Sequence, residues 1–176
     1  MCVYKLATPN DDNIRTIFNW EESEKDFNNI SGKTITKRWT YEEYYQKMKE
    51  MLEDLRRPYR VLINQSNEIL GTIKGYNYLE RNNSIIIGFY IPEFNRRKGY
   101  GTKIVNLFID DLFSNTNFKL NKIIATTVET NEGSKRVLEK NSFVLEGKLR
   151  ESLCFDGKKY TEYYYSILRS EWKHEE

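Results

Sequence analysis

Apolar positions follow two different periods along the chain, and the change comes at Pro58. Before it they recur every three or four residues. Ile14, Ile17 and Phe18 mark one face of a helix that Asp11 or Asp12 can cap and that runs to about Trp20. Tyr44, Met48, Met51, Leu52 and Leu55 stripe a second helix, opened by Thr40 with Glu43 three residues on, the capping-box spacing. A short strand over 3–6 and a turn at Thr8-Pro9-Asn10 precede the first helix, and the polar, acidic stretch 21–32 reads as a loop. After Pro58 the pattern alternates. Tyr59, Val61 and Ile63 run out, Gln65-Ser66-Asn67 turns, and 69–78 runs back. A second turn at 80–83 leads into Ile85, Ile86, Ile87, Phe89, Tyr90 and Ile91, a near-continuous apolar run of the kind found in a strand covered on both faces.

Pro92 ends that run, and the helical period returns with Ile104, Val105, Phe108, Ile109 and Leu112. A polar connection over 115–121, a strand over 123–128 and a short helix over 131–141 complete a crossover unit. The strands beginning at Ile85 and Ile123 are therefore expected to lie parallel. Phe143, Leu145 and Leu149 alternate with Glu146, Lys148 and Arg150. Asp156-Gly157 is a hairpin signal, and Tyr163, Tyr165 and Ile167 return. The expected fold is α/β (α+β), a mixed and mostly antiparallel sheet of about six to seven strands flanked by about four helices. No internal repeat or low-complexity segment breaks it, so residues 1–176 are expected to form a single domain.

Composition narrows the function classes. At 176 residues with 14% aromatics, the chain can bury a useful core despite 31% charged residues. A net charge of +2 argues against a dedicated nucleic-acid binder. Cys2 and Cys154 make no disulfide framework, and the single histidine, His174, leaves no histidine-based triad or histidine-rich metal site. The N-terminus lacks the apolar stretch of a signal peptide, and no run approaches the roughly 18 apolar residues of a membrane span. The expectation is a cytoplasmic protein without metal, membrane or nucleic-acid partner.

Candidate chemistry concentrates between the central strand and the helix after it: Arg96, Arg97, Lys98, Gly99, Tyr100, Gly101 and Thr102. Glycines at a strand-to-helix turn let a ligand approach the backbone, and the free N–H groups of the first helical turn point at any anion there. Three preceding cations strengthen the case for a phosphate, the alternative being a solvated basic turn. A side chain at 101 would stand where the phosphates must approach. The dinucleotide fingerprint fits poorly: Ile104 takes the place of its third glycine, and Glu129 lies beyond the usual spacing of about 20 residues for the ribose acid.

Arg96-x-x-Gly99-x-Gly101 after a buried strand resembles the acetyl-CoA motif of the GNAT superfamily of N-acetyltransferases. The downstream pieces resemble the branch that acetylates ribosomal-protein N-termini. These are Asn131-Glu132-Gly133-Ser134, the stretch 138–143, Glu146-Gly147-x-x-Arg150-Glu151, Asp156-Gly157 and a Tyr-rich last strand. The resemblance extends from about 69 to 172 and is thin before that. It implies a substrate-side third over about 1–58 and an acetyl-CoA-binding core over about 59–170. In that core the central strand and the strand after the glycine-opened helix splay apart around the cofactor. Phe89, Tyr90 and Ile91 would then meet the pantetheine arm, Arg96 through Thr102 the pyrophosphate, and Asn131 the pantetheine again. Ser134 would stand near the thioester sulfur as proton donor, against the plainer reading of Asn131 and Ser134 as a helix start.

The implied reaction is direct attack of an amine on acetyl-CoA, without metal, with a central-strand N–H stabilising the oxyanion. Acceptors in view are a protein N-terminus, a polyamine, an antibiotic or an amino sugar, and the protein is expected to be a monomer or homodimer. No acid falls within 85–91, where many members keep a base. Glu151 is the candidate base or amine-orienting group, with a solvated strand-end carboxylate as the alternative and a water chain as the substitute. Glu21, Glu22, Glu24 and Asp26 either attract a cationic amine or form a solvated face. The rival class is a non-catalytic acyl-CoA-binding module or sensor of the same fold.

Overall fold

The computed structural model describes residues 4–23, 39–115, 119–155 and 157–173. Within them the strands are β1 (Lys5–Ala7), β2 (Tyr59–Ile63), β3 (Ile69–Leu79), β4 (Ser84–Tyr90), β5 (Lys122–Val128), β6 (Val144–Phe155) and β7 (Lys158–Leu168). The helices are α1 (Asp11–Ser23), α2 (Tyr41–Glu53), α3 (Tyr100–Ser114) and α4 (Glu132–Lys140). All seven strands join one sheet in the order β1-β2-β3-β4-β5-β7-β6. Only β4 and β5 pair parallel, through the crossover made by α3. This is the mixed, mostly antiparallel sheet that the change of period predicts.

Strand alternation sends side chains to two cores. Leu62, Ile73, Ile85, Ile87 and Ile123 pack under α3, whose Ile104, Phe108 and Leu112 are fully buried. Val61 and Ile63, pointing the other way from β2, meet Ile14, Ile17 and Trp20 of α1 and Met48 of α2. Both faces of the middle strands are thereby covered, which accounts for their unbroken apolar runs. Beyond Ile87, however, Phe89, Tyr90 and Ile91 are only half-buried, because a cleft opens beside them.

Local chemistry sets the helix ends. Asn10, rather than Asp11 or Asp12, caps α1: the Asn13 amide donates to its Oδ1 at 2.8 Å, and its own amide donates to Asn13 Oδ1 at 3.2 Å. The two aspartates occupy the first turn, where the helix dipole favours them. The helix continues past Trp20 to Ser23, so Glu21 and Glu22 are helical and not part of a loop. The Thr40–Glu43 capping box forms at 3.3 and 3.0 Å. That second helix stops at Glu53, which leaves Leu55 outside the apolar stripe and 74% exposed. β6 lies at the sheet's edge, leaving Val144, Leu145 and Leu149 exposed. Gly157 takes φ 70° at the β6–β7 turn. Cys2, Val3, Glu24, Asp26, Asp156 and His174 lie outside the described residues. Among the described residues, no helix is long and apolar enough to cross a membrane.

Candidate active site

The cleft originates in a split in the sheet. β4 and β5 pair from Ser84–Lys122 to Ile87–Ala125 and no farther. β4 nevertheless stays paired with β3 as far as Tyr90, and β5 with β7 as far as Val128. The last residues of the two strands, Gly88–Tyr90 and Thr126–Val128, thus turn unshared edges toward one another. The β4–β5 ladder does not continue there, and edges facing one another across such a gap suit an extended, amide-bearing ligand. A cleft of about 920 Å³ occupies the gap and reaches across both sheet faces.

One wall is built by the turn between β4 and α3. Arg96 donates through Nε to the Ile91 carbonyl at 3.0 Å, and buried Asn95 donates to the Leu70 carbonyl at 3.2 Å, so the turn is tied to the sheet. Arg97 and Gly99 take positive φ, 61° and 82°, which brings the start of α3 to the cleft. Side chains of Asn10, Thr40 and Asn131 cap α1, α2 and α4, whereas Gly99 gives α3 no side-chain cap. The first-turn N–H groups of α3 are therefore available to an anion. Arg96, Arg97, Gly99, Tyr100, Gly101 and Thr102 all line the cleft, while Lys98 is exposed and does not. A Cβ at Gly101 would stand 3.1 Å from Val137 Cγ2 and 3.7 Å from Ile91 Cγ1. The missing side chain thus serves the seam between α3, α4 and β4 as well as any ligand.

α4 supplies the adjoining wall. Asn131 Oδ1 accepts the Ser134 amide at 3.0 Å, so the helix-start role exists, and both residues also line the cleft. Arg136 and Lys140 line it as well. Their i, i+4 spacing on the helix that Asn131 caps is the local signal that sets these two cations on one face beside it.

The opposite wall belongs to the N-terminal third. Glu21 and Glu22 reach the cleft beside Phe18, Trp39 and Tyr44. Tyr44 donates its hydroxyl to Glu21 Oε1 at 3.1 Å. Burial first, and then the Glu21 charge, push the Tyr44 phenol far above its ordinary value. Tyr59 is also raised by burial, with the Glu21 charge adding to it. Trp20 fixes the end of α1 near the end of β4, its ring centroid 6.5 Å from that of Tyr90 and 5.9 Å from that of Phe94.

Glu151 does not line this cleft. It sits in the part of β6 where pairing with β7 slips between Leu149 and Leu153, takes φ 53°, and accepts Lys159 Nζ at 2.6 Å. An exposed carboxylate held by an exposed lysine on the hairpin is the strand-end reading. Glu129, the candidate ribose acid of the dinucleotide fingerprint, accepts the Thr161 amide at 3.0 Å and ties the end of β5 to β7. Among the described residues, no group of three His, Cys, Asp or Glu side chains is placed to hold a metal.

Comparison with known proteins completes the description. The family model for the acetyltransferase (GNAT) domain matches residues 5–144. A putative ribosomal N-acetyltransferase, YdaF of Bacillus subtilis (strain 168), is 31% identical over 107 residues, 61% of this chain and 57% of that protein. The uncharacterized N-acetyltransferase p20 of Bacillus licheniformis is 29% identical over 122 residues, 69% of this chain and 67% of that one. The match to YdaF thus spans just over half of that relative's length. Among solved structures, spermidine N-acetyltransferase from Vibrio cholerae, in complex with CoA and spermine, superposes with TM-score 0.85 at 18% identity, covering 96% of each chain. Identity that low establishes a shared fold.

Proposed function

We propose that this chain, which belongs to the acetyltransferase (GNAT) domain family, transfers an acetyl group from acetyl-CoA to a primary amine by direct attack. The observation that carries the reading is the single cleft at the β4–β5 split. It joins an uncapped helix N-terminus with cations at one side to an acidic, aromatic wall at the other. Acetyl-CoA would supply an activated acyl carbonyl.

The residues present fit that cofactor. First-turn amides of α3 with Arg97 would hold its pyrophosphate, and the unshared edges of β4 and β5 would hydrogen-bond its amide-bearing arm. Phe89 and Ile91 supply apolar wall, and Asn131 adds a polar contact while keeping its cap. A backbone N–H of β4 beyond Ile87, where pairing with β5 has ended, would serve the developing oxyanion. The Ser134 hydroxyl would hold the proton that the leaving sulfur needs.

The acceptor is read as an amine because the far wall carries carboxylates. Among acceptors we rank a protein N-terminus and a polyamine ahead of an antibiotic or amino sugar, a ranking supported by a relative named as a putative ribosomal N-acetyltransferase and a structural neighbour named as a spermidine N-acetyltransferase, and the cytoplasm is the compartment this reading favours. The test is thiol release from acetyl-CoA by purified protein with spermidine, an N-terminal peptide, glucosamine and an aminoglycoside. Amine-dependent release supports transfer. Acetyl-CoA binding with no release across such a panel would favour the acyl-CoA sensor instead.

A further inference from the structure

Two cations on the α4 wall take no part in the roles assigned so far. Arg136 and Lys140 line the cleft together with Gly133 and Val137, which makes them one face of α4. Their four-residue spacing sets the two side chains about 5–6 Å apart at Cβ, close enough to share one phosphate. The place of that face is fixed at both ends of the helix. At its start, the Asn131 amide donates to the Val128 carbonyl at 3.0 Å, beside the split in the sheet. At its end, buried Asn141 donates through Nδ2 to the Thr102 carbonyl at 3.3 Å, beside the first turn of α3. A ligand with its amide-bearing arm in the split and its pyrophosphate on the α3 turn therefore leaves the cleft past Arg136 and Lys140.

Helix stability explains these charges only in part. Lys140 occupies the last turn of α4, where the helix dipole favours a cation, and Arg136 follows Glu132 by four residues. Glu132, however, accepts a hydrogen bond from Lys135. Among the described residues, neither Arg136 nor Lys140 makes a hydrogen bond or ion pair of its own. The carboxylates that line the cleft, Glu21 and Glu22, belong to the opposite wall, so the lining at this end is cationic. We propose that Arg136 and Lys140 bind the phosphate on the 3′ position of the cofactor's ribose and so select CoA over its 3′-dephospho form. The inference rests on the acetyl-CoA reading and assigns residues to the third phosphate, which the α3 turn leaves unaccounted for.

The experiment titrates CoA and 3′-dephospho-CoA calorimetrically into wild type, Arg136→Gln, Lys140→Gln, the double variant, Arg136→Lys and the control Lys158→Gln, whose lysine is exposed and does not line the cleft. Wild type is expected to bind CoA about tenfold more tightly than the dephospho form. Because both cations are exposed, each single glutamine variant should weaken CoA binding about threefold, and the double variant about tenfold. The Kd for 3′-dephospho-CoA should stay within about twofold of wild type throughout, and Arg136→Lys, which keeps the charge, should retain most of the preference. Lys158→Gln should match wild type with both ligands. A wild type without preference for the 3′-phosphate would overturn the assignment whatever the variants do. Equal weakening of both ligands in a folded double variant, or no weakening of either, would also overturn it while leaving the cofactor site in place. Failure of wild type to bind either ligand would overturn the acetyl-CoA reading as well.

Discussion

Gly101 offers the sharpest mutational prediction because its surroundings are measurable. A Cβ there would lie 3.1 Å from Val137 Cγ2, 3.7 Å from Ile91 Cγ1 and 3.8 Å from Phe89 Cε2. Alanine therefore needs a shift of only a few tenths of an ångström, and the better helix propensity, worth about 1 kcal/mol, offsets it. Valine adds two further methyls to a closed seam. Overpacking of that kind costs about 1–3 kcal/mol. At roughly 2–4 °C per kcal/mol for a chain of this size, the melting temperature should fall by roughly 2–12 °C. Because α4 carries Asn131 and Ser134, pushing it from α3 should also weaken acetyl-CoA binding at least about tenfold, the equivalent of ~1.4 kcal/mol. Thermal melting and calorimetric titration of wild type, Gly101→Ala and Gly101→Val check both numbers. A valine variant that melts within about 1 °C of wild type and binds acetyl-CoA equally well would refute the seam argument and the placement of the site together.

Thr40→Ala removes the capping box and should cost about 1 kcal/mol in a melting experiment, with acetyl-CoA affinity unchanged because Thr40 does not line the cleft. Asn131→Asp keeps a cap acceptor but loses the amide donor, so stability should hold while acetyl-CoA affinity drops several-fold in calorimetry. Ser134→Ala should lower turnover about tenfold or more with little change in cofactor Kd, and unaffected turnover would return Ser134 to its helix-start role. Glu146 is held below the ordinary carboxylate range by hydrogen bonds from Lys122 and Ser166. A depressed value stabilises the fold above the unfolded-state pKa and ceases to do so as pH falls through the folded one. Glu146→Gln should therefore melt below wild type near about pH 7, with the gap closing below about pH 4.

Much of this architecture was legible in the chain because its signals are local. The capping box at Thr40 and Glu43 needs four residues, and the period change at Pro58 and the glycine turn before α3 need only short windows. Non-local features were not legible. Glu21 and Tyr44 meet across 23 residues and two helices, so no spacing rule pairs them. The polar run after Trp20 read as loop by composition, yet nothing through Ser23 breaks a helix, and α1 continues. Glu151, in the Arg150-Glu151 pair at the start of the last hairpin, gives no local signal of where its carboxylate lies; the register shift in β6 and its contact with Lys159 are non-local. Asn10, Asp11 and Asp12 can all cap, and only the reciprocal bonds with Asn13 decide among them. The point at which β4 parts from β5 depends on register, which composition does not encode.

The central claim is that the β4–β5 split and the uncapped start of α3 form an acetyl-CoA site. Isothermal titration of acetyl-CoA into the wild-type protein and into Arg97→Ala tests it most directly. The account predicts micromolar binding by wild type, weakened about tenfold in the variant by loss of a charge-assisted phosphate contact. A folded wild-type protein that binds no acetyl-CoA would contradict it.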